Sequence, residues 1–184
     1  MNSKIFQMAQ RRGFSSLYNY SNAANPRVFL SVANGEHHVG DLVFELYADK
    51  QATAVENFTT LLEGNGAEGS SYIGSKLNSG MAGLGVVGGD VCEEGFGAFG
   101  VWNPEGDLSL RHHKRGMLST VSQGVHQNGS KFMVTFNEAS MLNGYQTVFG
   151  ELVEGDHVLS QIESATDRHG NVSGDFTIVN GGFK

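Results

Sequence analysis

The feature of this sequence that most limits its fold is a succession of short strand-like segments. Residues 28–32 and 42–47 are rich in β-branched and aromatic side chains, and Asn34-Gly35 between them is typical of a hairpin turn. Further strands are predicted at 117–121, 131–136, 145–153 and 176–179. The 26 glycines and 2 prolines favour many tight turns over a proline-rich linker.

Helical spacing is confined to two segments. The first follows Thr53-Ala54-Val55-Glu56, whose Thr and Glu form a capping-box pattern, and it predicts a helix over 53–63. Its apolar residues, spaced to bury one face, are Val55, Phe58, Leu61 and Leu62. The second predicted helix covers 156–163. Short strands with two separated helices predict a mainly β protein, a closed antiparallel barrel capped by a helix at each end.

Charge and length exclude several classes of protein. A chain of 184 residues with a net charge of -7 fits one domain with a short extension. Because phosphate binding needs a basic surface, we expect no nucleic-acid partner. Cys92 is the single cysteine, so an internal disulfide framework is excluded. No run of 18 apolar residues occurs, and the chain is not expected to span a membrane.

The first 25 residues differ in charge from the rest. They contain Lys4, Arg11 and Arg12 and no acidic residue, whereas the remaining chain carries all 19 acids. This is the composition of a mitochondrial transit peptide, and residues 12–16 are similar to a matrix-protease cleavage site. We predict a mitochondrial protein on the matrix side, with residues 1–25 as a retained extension and 26–184 as the folded domain. The alternative is an ordinary disordered tail.

A series of short motifs carries a family resemblance. The motifs are GDLVFELYADK at 40–50, AVENF at 54–58, YIGS at 72–75, GGD at 88–90, GMLS at 116–119, NGSKF at 128–132, LNG at 142–144, VFG at 148–150 and FTIV at 176–179. In their order and spacing, these motifs resemble the cyclophilin family of peptidyl-prolyl isomerases over about residues 27–182. The resemblance implies a closed eight-stranded antiparallel β-barrel capped by two α-helices, with substrate bound in an outer groove.

The resemblance also implies which residues should carry catalysis. The family uses an Arg that reaches the prolyl nitrogen and a Gln that orients the substrate carbonyl. The aligned stretch is 77–90, in which Ser79 stands at the Arg position and Val87 at the Gln position. A serine hydroxyl cannot present the charged, forked donor of a guanidinium. Leu84 and Gly85 stand at two positions of the proline pocket, where the family has Phe and Met.

The rest of the groove is altered in the same way, and Leu142 alone of the remaining pocket positions matches the family. Its nine former proline-groove positions are Ser79, Leu84, Val87, Val121, Lys131, Met133, Met141, Leu142 and Gln146. We therefore predict no catalytic residue and little or no isomerase activity. The apolar members are expected to form a groove filled by the chain itself or covered by a partner.

Neither a metal nor a cofactor is predicted. The pairs His37-His38 and His112-His113 invite a metal-site interpretation, but adjacent side chains on a strand point to opposite faces. No cysteine or acidic residue stands nearby at ligand spacing.

Three functions remain open. The first is a catalytically inactive accessory subunit of a large mitochondrial complex, whose partners are protein subunits, and acidic charge favours a respiratory-chain complex over a ribosome. The second is a weak isomerase or folding helper in mitochondria, with Lys131 or Arg111 reaching into a rearranged groove. The third is a proline-peptide binding module without catalysis.

Overall fold

The structure is a computed structural model that describes residues 18–81, 83–91, 108–124 and 127–184. The targeting-like part of the head, residues 1–17, lies outside the described residues, and so does Cys92. The targeting prediction therefore stays a prediction.

The described residues form a mainly β protein with two α-helices, as predicted. The strands are β1 Arg27–Asn34, β2 His37–Leu46, β3 Ser79–Met81, β4 Gly85–Gly88, β5 Met117–Gly124, β6 Gln127–Thr135, β7 Val148–Glu154 and β8 Phe176–Phe183. The helices are α1 Ala52–Leu62 and α2 Asp156–Ala165, and short 3₁₀ turns lie at Ala67–Gly69 and Ser140–Leu142.

The eight strands form one antiparallel sheet in the order β3-β4-β6-β5-β7-β2-β1-β8. The predicted β1–β2 hairpin is confirmed, with Asn34 opposite His37 at the turn. The prediction of a closed barrel is wrong, because no ladder joins the edge strands β3 and β8 among the described residues. The outer edge of β3 instead bonds to a loop, where the Gly80 N–H donates to the Gly170 carbonyl at 2.8 Å. The sheet is therefore a half-barrel.

The space next to β8 is filled by the segment that leads toward β3. The Gly74 N–H donates to the Ile178 carbonyl at 2.7 Å, and the Leu77 N–H donates to the Phe176 carbonyl at 2.8 Å. Lys76 and Thr177 form an isolated antiparallel bridge between these bonds. These contacts cover the first residues of β8 without extending the ladder to β3.

Helix α1 packs its apolar face into the main hydrophobic core. The Phe58 ring is 1% exposed and lies 5.0 Å from Tyr72, 5.3 Å from Phe132 and 5.4 Å from Phe149, measured between ring centroids. The predicted capping box is wrong, because the helix begins at Ala52 with Gln51 as its N-cap, two residues before Thr53, and no side chain there makes a capping hydrogen bond.

Strands β3 and β4 lie in a region where glycines hid the strand pattern. A Cβ on Gly85 would lie 2.5 Å from the Val134 carbonyl oxygen, and one on Gly88 would lie 2.4 Å from Leu77 Cδ2. Both distances are too short for a side chain, so glycine lets β4 approach β6 closely. The two glycines of β4 are thus explained by close packing and not by β propensity. This packing places the candidate site.

Candidate functional site

A row of four residues, which we call the groove row, crosses the sheet and includes three of the predicted groove positions. Ser79 on β3 lies opposite Val87 on β4, which lies opposite Met133 on β6, which in turn lies opposite Ser119 on β5. Directly opposed residues of antiparallel strands present their side chains to the same face. The structure therefore brings together the positions predicted from the Arg, Gln and second Phe of the family.

The apolar members of the site form a separate cluster, which we call the groove cluster. It contains Leu84, Val87, Val121, Met133, Ala139 and Leu142. Met133 and Ala139 are fully buried, and the other members are buried or half-buried. Met141, next to Leu142 in the chain, is different because it is 63% exposed. Five of the nine predicted positions thus pack on one another.

The polar members of the predicted site are engaged elsewhere. The Lys131 ammonium lies 3.1 Å from the Asp90 carboxylate and pairs with it. The Gln146 amide oxygen accepts a hydrogen bond from the Ser119 hydroxyl at 3.2 Å, and both residues are buried. Ser79 is exposed at the open end of the row. None of these contacts offers a cationic fork to the groove cluster.

Sequence reasoning missed two members of this site. Ser119 stands two residues before Val121 on β5, and the two-residue period of a strand could have placed both on one face. Ala139 lies in the loop before the Ser140–Leu142 turn, and no local pattern marks it.

The loop that carries Leu142 is fixed by His112. The backbone N–H of His112 donates to Asn143 Oδ1 at 2.8 Å, and His112 Nδ1 lies 3.0 Å from the same oxygen. The His112 carbonyl accepts from the Ala139 N–H at 2.9 Å. Because Asn143 Oδ1 is an acceptor, Nδ1 carries the proton in the neutral imidazole. His112 is therefore a structural support of the groove wall.

The environment of His112 disfavours its charged form. Burial lowers the pKa of His112, the hydrogen bond to Asn143 acts in the opposite direction, and the neighbouring His113 lowers it further. The Nε2 atom is buried and has no hydrogen-bond partner among the described residues. Burial also lowers the pKa of His113, while the backbone carbonyl of Arg111 opposes this.

These lowered pKa values predict an acid-sensitive fold. Between the native pKa and the ordinary value of about 6.5, the unfolded chain binds more protons, so the free energy of unfolding falls as pH drops below 6.5. One such group contributes a slope of at most about 1.4 kcal/mol per pH unit. Urea unfolding from pH 7.5 to 5 should show this fall, and His112→Gln should flatten it.

His37→Gln is the matched control, because it makes the same replacement at an exposed position. The range stops at pH 5 to stay above the ordinary pKa values of Asp and Glu carboxyl groups, about 3.9 and 4.3. Equal slopes in the native chain and His112→Gln would contradict the assignment.

The described residues show no arrangement of three or more His, Cys, Asp or Glu side chains suited to a metal ion. Among the helices that the structure describes, none is long and apolar enough to cross a bilayer.

The fold and the site together define a class of protein. An eight-stranded antiparallel half-barrel with two helices, carrying the groove row on β3, β4, β6 and β5, is the architecture of a cyclophilin-like domain. The chain belongs to the cyclophilin family, since residues 29–182 match the family described as "Cyclophilin type peptidyl-prolyl cis-trans isomerase/CLD".

Three relatives illustrate the similarity. The chain is 34% identical over 146 residues to "Probable inactive peptidyl-prolyl cis-trans isomerase-like 6" of Bos taurus, covering 74% of this chain and 48% of that protein. The protein of the same name in Mus musculus is 33% identical over 151 residues, with 74% and 46% covered. A "Peptidyl-prolyl cis-trans isomerase" of Encephalitozoon cuniculi (strain GB-M1) is 33% identical over 159 residues, with 84% and 91% covered. The chain spans about half the length of the two mammalian relatives.

Proposed function

We propose that this chain is a catalytically inactive cyclophilin-like subunit of a large mitochondrial assembly, namely a respiratory-chain complex on the matrix side. The observation that carries the loss of catalysis is Ser79, which lies directly opposite Val87 in the groove row. At these two positions the family has its Arg and its Gln.

The chemistry explains why this pair matters. Rotation about an X–Pro bond meets a barrier of about 18–20 kcal/mol because the amide is resonance-stabilised. A catalyst must stabilise the twisted state, in which the prolyl nitrogen accepts a hydrogen bond. Ser79 has a short neutral hydroxyl, and the Val87 side chain has no donor or acceptor. The opposed pair thus supplies neither the charge nor the orientation that the reaction needs.

A rearranged active site finds little support in the contacts. Lys131 pairs with Asp90 at the edge of the groove, so moving its ammonium over the cluster would break that ion pair. The backbone N–H of Arg111 donates to the Tyr20 hydroxyl at 3.2 Å, which ties this residue to the segment that precedes β1. Two of the relatives also carry the word "inactive" in their names.

The mitochondrial part of the proposal is supported by the sequence head and the charge. Residues 1–25 are basic and acid-free, while the chain as a whole carries -7. The groove cluster packs largely on itself, and the exposed Met141 and Tyr145 stand beside it. Apolar side chains exposed together are typical of a surface covered by another protein.

The proposal is tested by fractionation of gently solubilised mitochondria on a native gel, followed by detection of the full chain. We expect migration only with a large assembly that contains respiratory-chain subunits. Migration as a monomer near the chain mass of 19.7 kDa, or absence from mitochondria, would overturn the proposal. A charge-reversed chain with Arg11→Glu and Arg12→Glu should fail to enter mitochondria, whereas Arg168→Glu at an exposed site of the domain should not.

A further inference from the structure

The segment 18–25, which we call the strap, lies ahead of the family-matched region 29–182 and packs against the sheet. It contains no strand and no helix. Several of the contacts that join it to the domain are made by its side chains. Ser21, Asn22, Ala23 and Ala24 are exposed on the outside of the molecule. The strap is thus attached in the manner of a bound peptide and not of an added strand.

The polar half of the attachment is the carboxylate of Glu45 on β2, which is 2% exposed. It accepts the Ser21 hydroxyl at 2.9 Å, the Asn22 backbone N–H at 2.8 Å and the Asn25 side-chain amide at 3.2 Å. The Arg27 guanidinium lies 3.8 Å away. Burial alone raises the pKa of Glu45, but these hydrogen bonds and the Arg27 charge outweigh it and hold the pKa below its ordinary value. The ionised carboxylate is therefore the receptor for three strap donors.

The apolar half of the attachment is a pocket that receives Tyr20. Its buried members are Tyr47, Leu110, Met117 and Val148. The Tyr20 and Tyr47 rings meet edge to face with their centroids 5.6 Å apart. The Tyr20 hydroxyl accepts the Arg111 N–H at 3.2 Å, and the His113 ring lies 5.6 Å from Tyr20 and 5.3 Å from Tyr18. Aromatic insertion and one buried carboxylate are together a specific recognition pattern.

We propose that Glu45 and the pocket around Tyr47 form a second peptide-binding site, separate from the groove cluster, which the strap occupies in the same chain. Its ligand is a peptide in which an aromatic residue is followed by a hydroxyl and an amide side chain, here Tyr20-Ser21-Asn22. Residues 12–16, which are similar to a protease site, end before Tyr18. Cleavage there would leave the strap attached, so the site is filled in either form of the chain.

The test cuts the strap from the folded full chain. A recognition sequence for a specific protease is inserted between the exposed Ala23 and Ala24, because exposed turn tips tolerate insertion. After cleavage and removal of the released fragment by gel filtration, a fluorescent peptide with the sequence of residues 18–23 is titrated back. We expect saturable binding in fluorescence anisotropy.

Matched variants distinguish sequence-specific recognition of the peptide from its nonspecific adsorption to the protein. The Tyr20→Ala peptide is expected to bind at least tenfold more weakly, Ser21→Ala several-fold more weakly, and a scrambled peptide not at all. In the protein, Glu45→Gln should weaken binding of the native peptide in the same way. Unfolding of the domain after the cut would overturn the proposal, because the strap would then be an integral part of the core. Equal binding of the native and Tyr20→Ala peptides would overturn it as well.

Discussion

In a proline-isomerisation assay, the purified chain is expected to leave the rate of X–Pro interconversion at its uncatalysed value. Loss of one preorganised donor to the transition state typically costs about 10²–10³ in rate. On the proposed alignment, Ser79 and Val87 replace the donor and its orienting partner, and Leu84 and Met133 replace residues of the proline pocket. A rate more than two orders of magnitude below that of an active family member under the same conditions is the expected result.

Restoring one residue should not restore catalysis. Ser79→Arg places a guanidinium opposite Val87, but position 87 and the pocket stay changed, so we expect no more than a few-fold gain. Ser79→Lys is the matched control, because it adds the charge without the fork. Clear catalysis by the native chain would contradict the inactive assignment. Strong catalysis by Ser79→Arg alone would show that the altered pocket still holds a prolyl substrate.

The largest effect on stability is expected at Phe58. Its ring is buried against three other aromatic rings, contributed by Tyr72, Phe132 and Phe149. Truncation to alanine removes apolar contacts from both the helix and the sheet and leaves a cavity. Phe58→Ala is therefore expected to lower the free energy of unfolding by about 3–5 kcal/mol, measured by urea denaturation.

Ile73 supplies the comparison for this measurement. It is also apolar, but it is 40% exposed, so Ile73→Ala should cost less than about 1 kcal/mol. A loss of the same small size for Phe58→Ala would mean that α1 does not anchor the core.

Strands and helices were predicted correctly where a single local sequence pattern was enough to specify them. The β1–β2 hairpin follows from β-branched and aromatic segments on either side of Asn34-Gly35, and α1 follows from Val55, Phe58 and Leu61 at helical spacing. The helical spacing arises because one face of α1 is buried, and burial imposes its own period on the chain.

Elements that depend on distant neighbours were not predictable in the same way. β4 contains Gly85 and Gly88 because the backbone of β6 and the side chain of Leu77 stand too close for a Cβ, and a window on β4 alone does not contain those partners. The prediction of the α1 cap was wrong for a related reason, since Gln51 is buried by tertiary packing. The prediction of a closed ladder was wrong because the edge of β3 pairs with Gly170 of a loop.

The candidate site also has one part that was predictable from local sequence and one part that was not. The motifs on either side of residues 77–90 fixed the positions of Ser79 and Val87, and the structure places the two side by side. Ser119 and Ala139 were identified as members of the site only from the structure. The strap could not be anticipated, since its receptor, Glu45, lies within an ordinary strand motif and its donors precede the family-matched region.

The pairing of β1 with β8 sets the order in which the protein can fold. Val28 lies opposite Phe183, so β1 lacks one of its two neighbours until almost all of this sequence has been synthesised. Long-range pairing of this kind slows folding, because the intervening chain must be ordered before the contact forms. During that time the outer edge of β1 is open to other strands, and a chaperone that shields it would raise the yield of native protein.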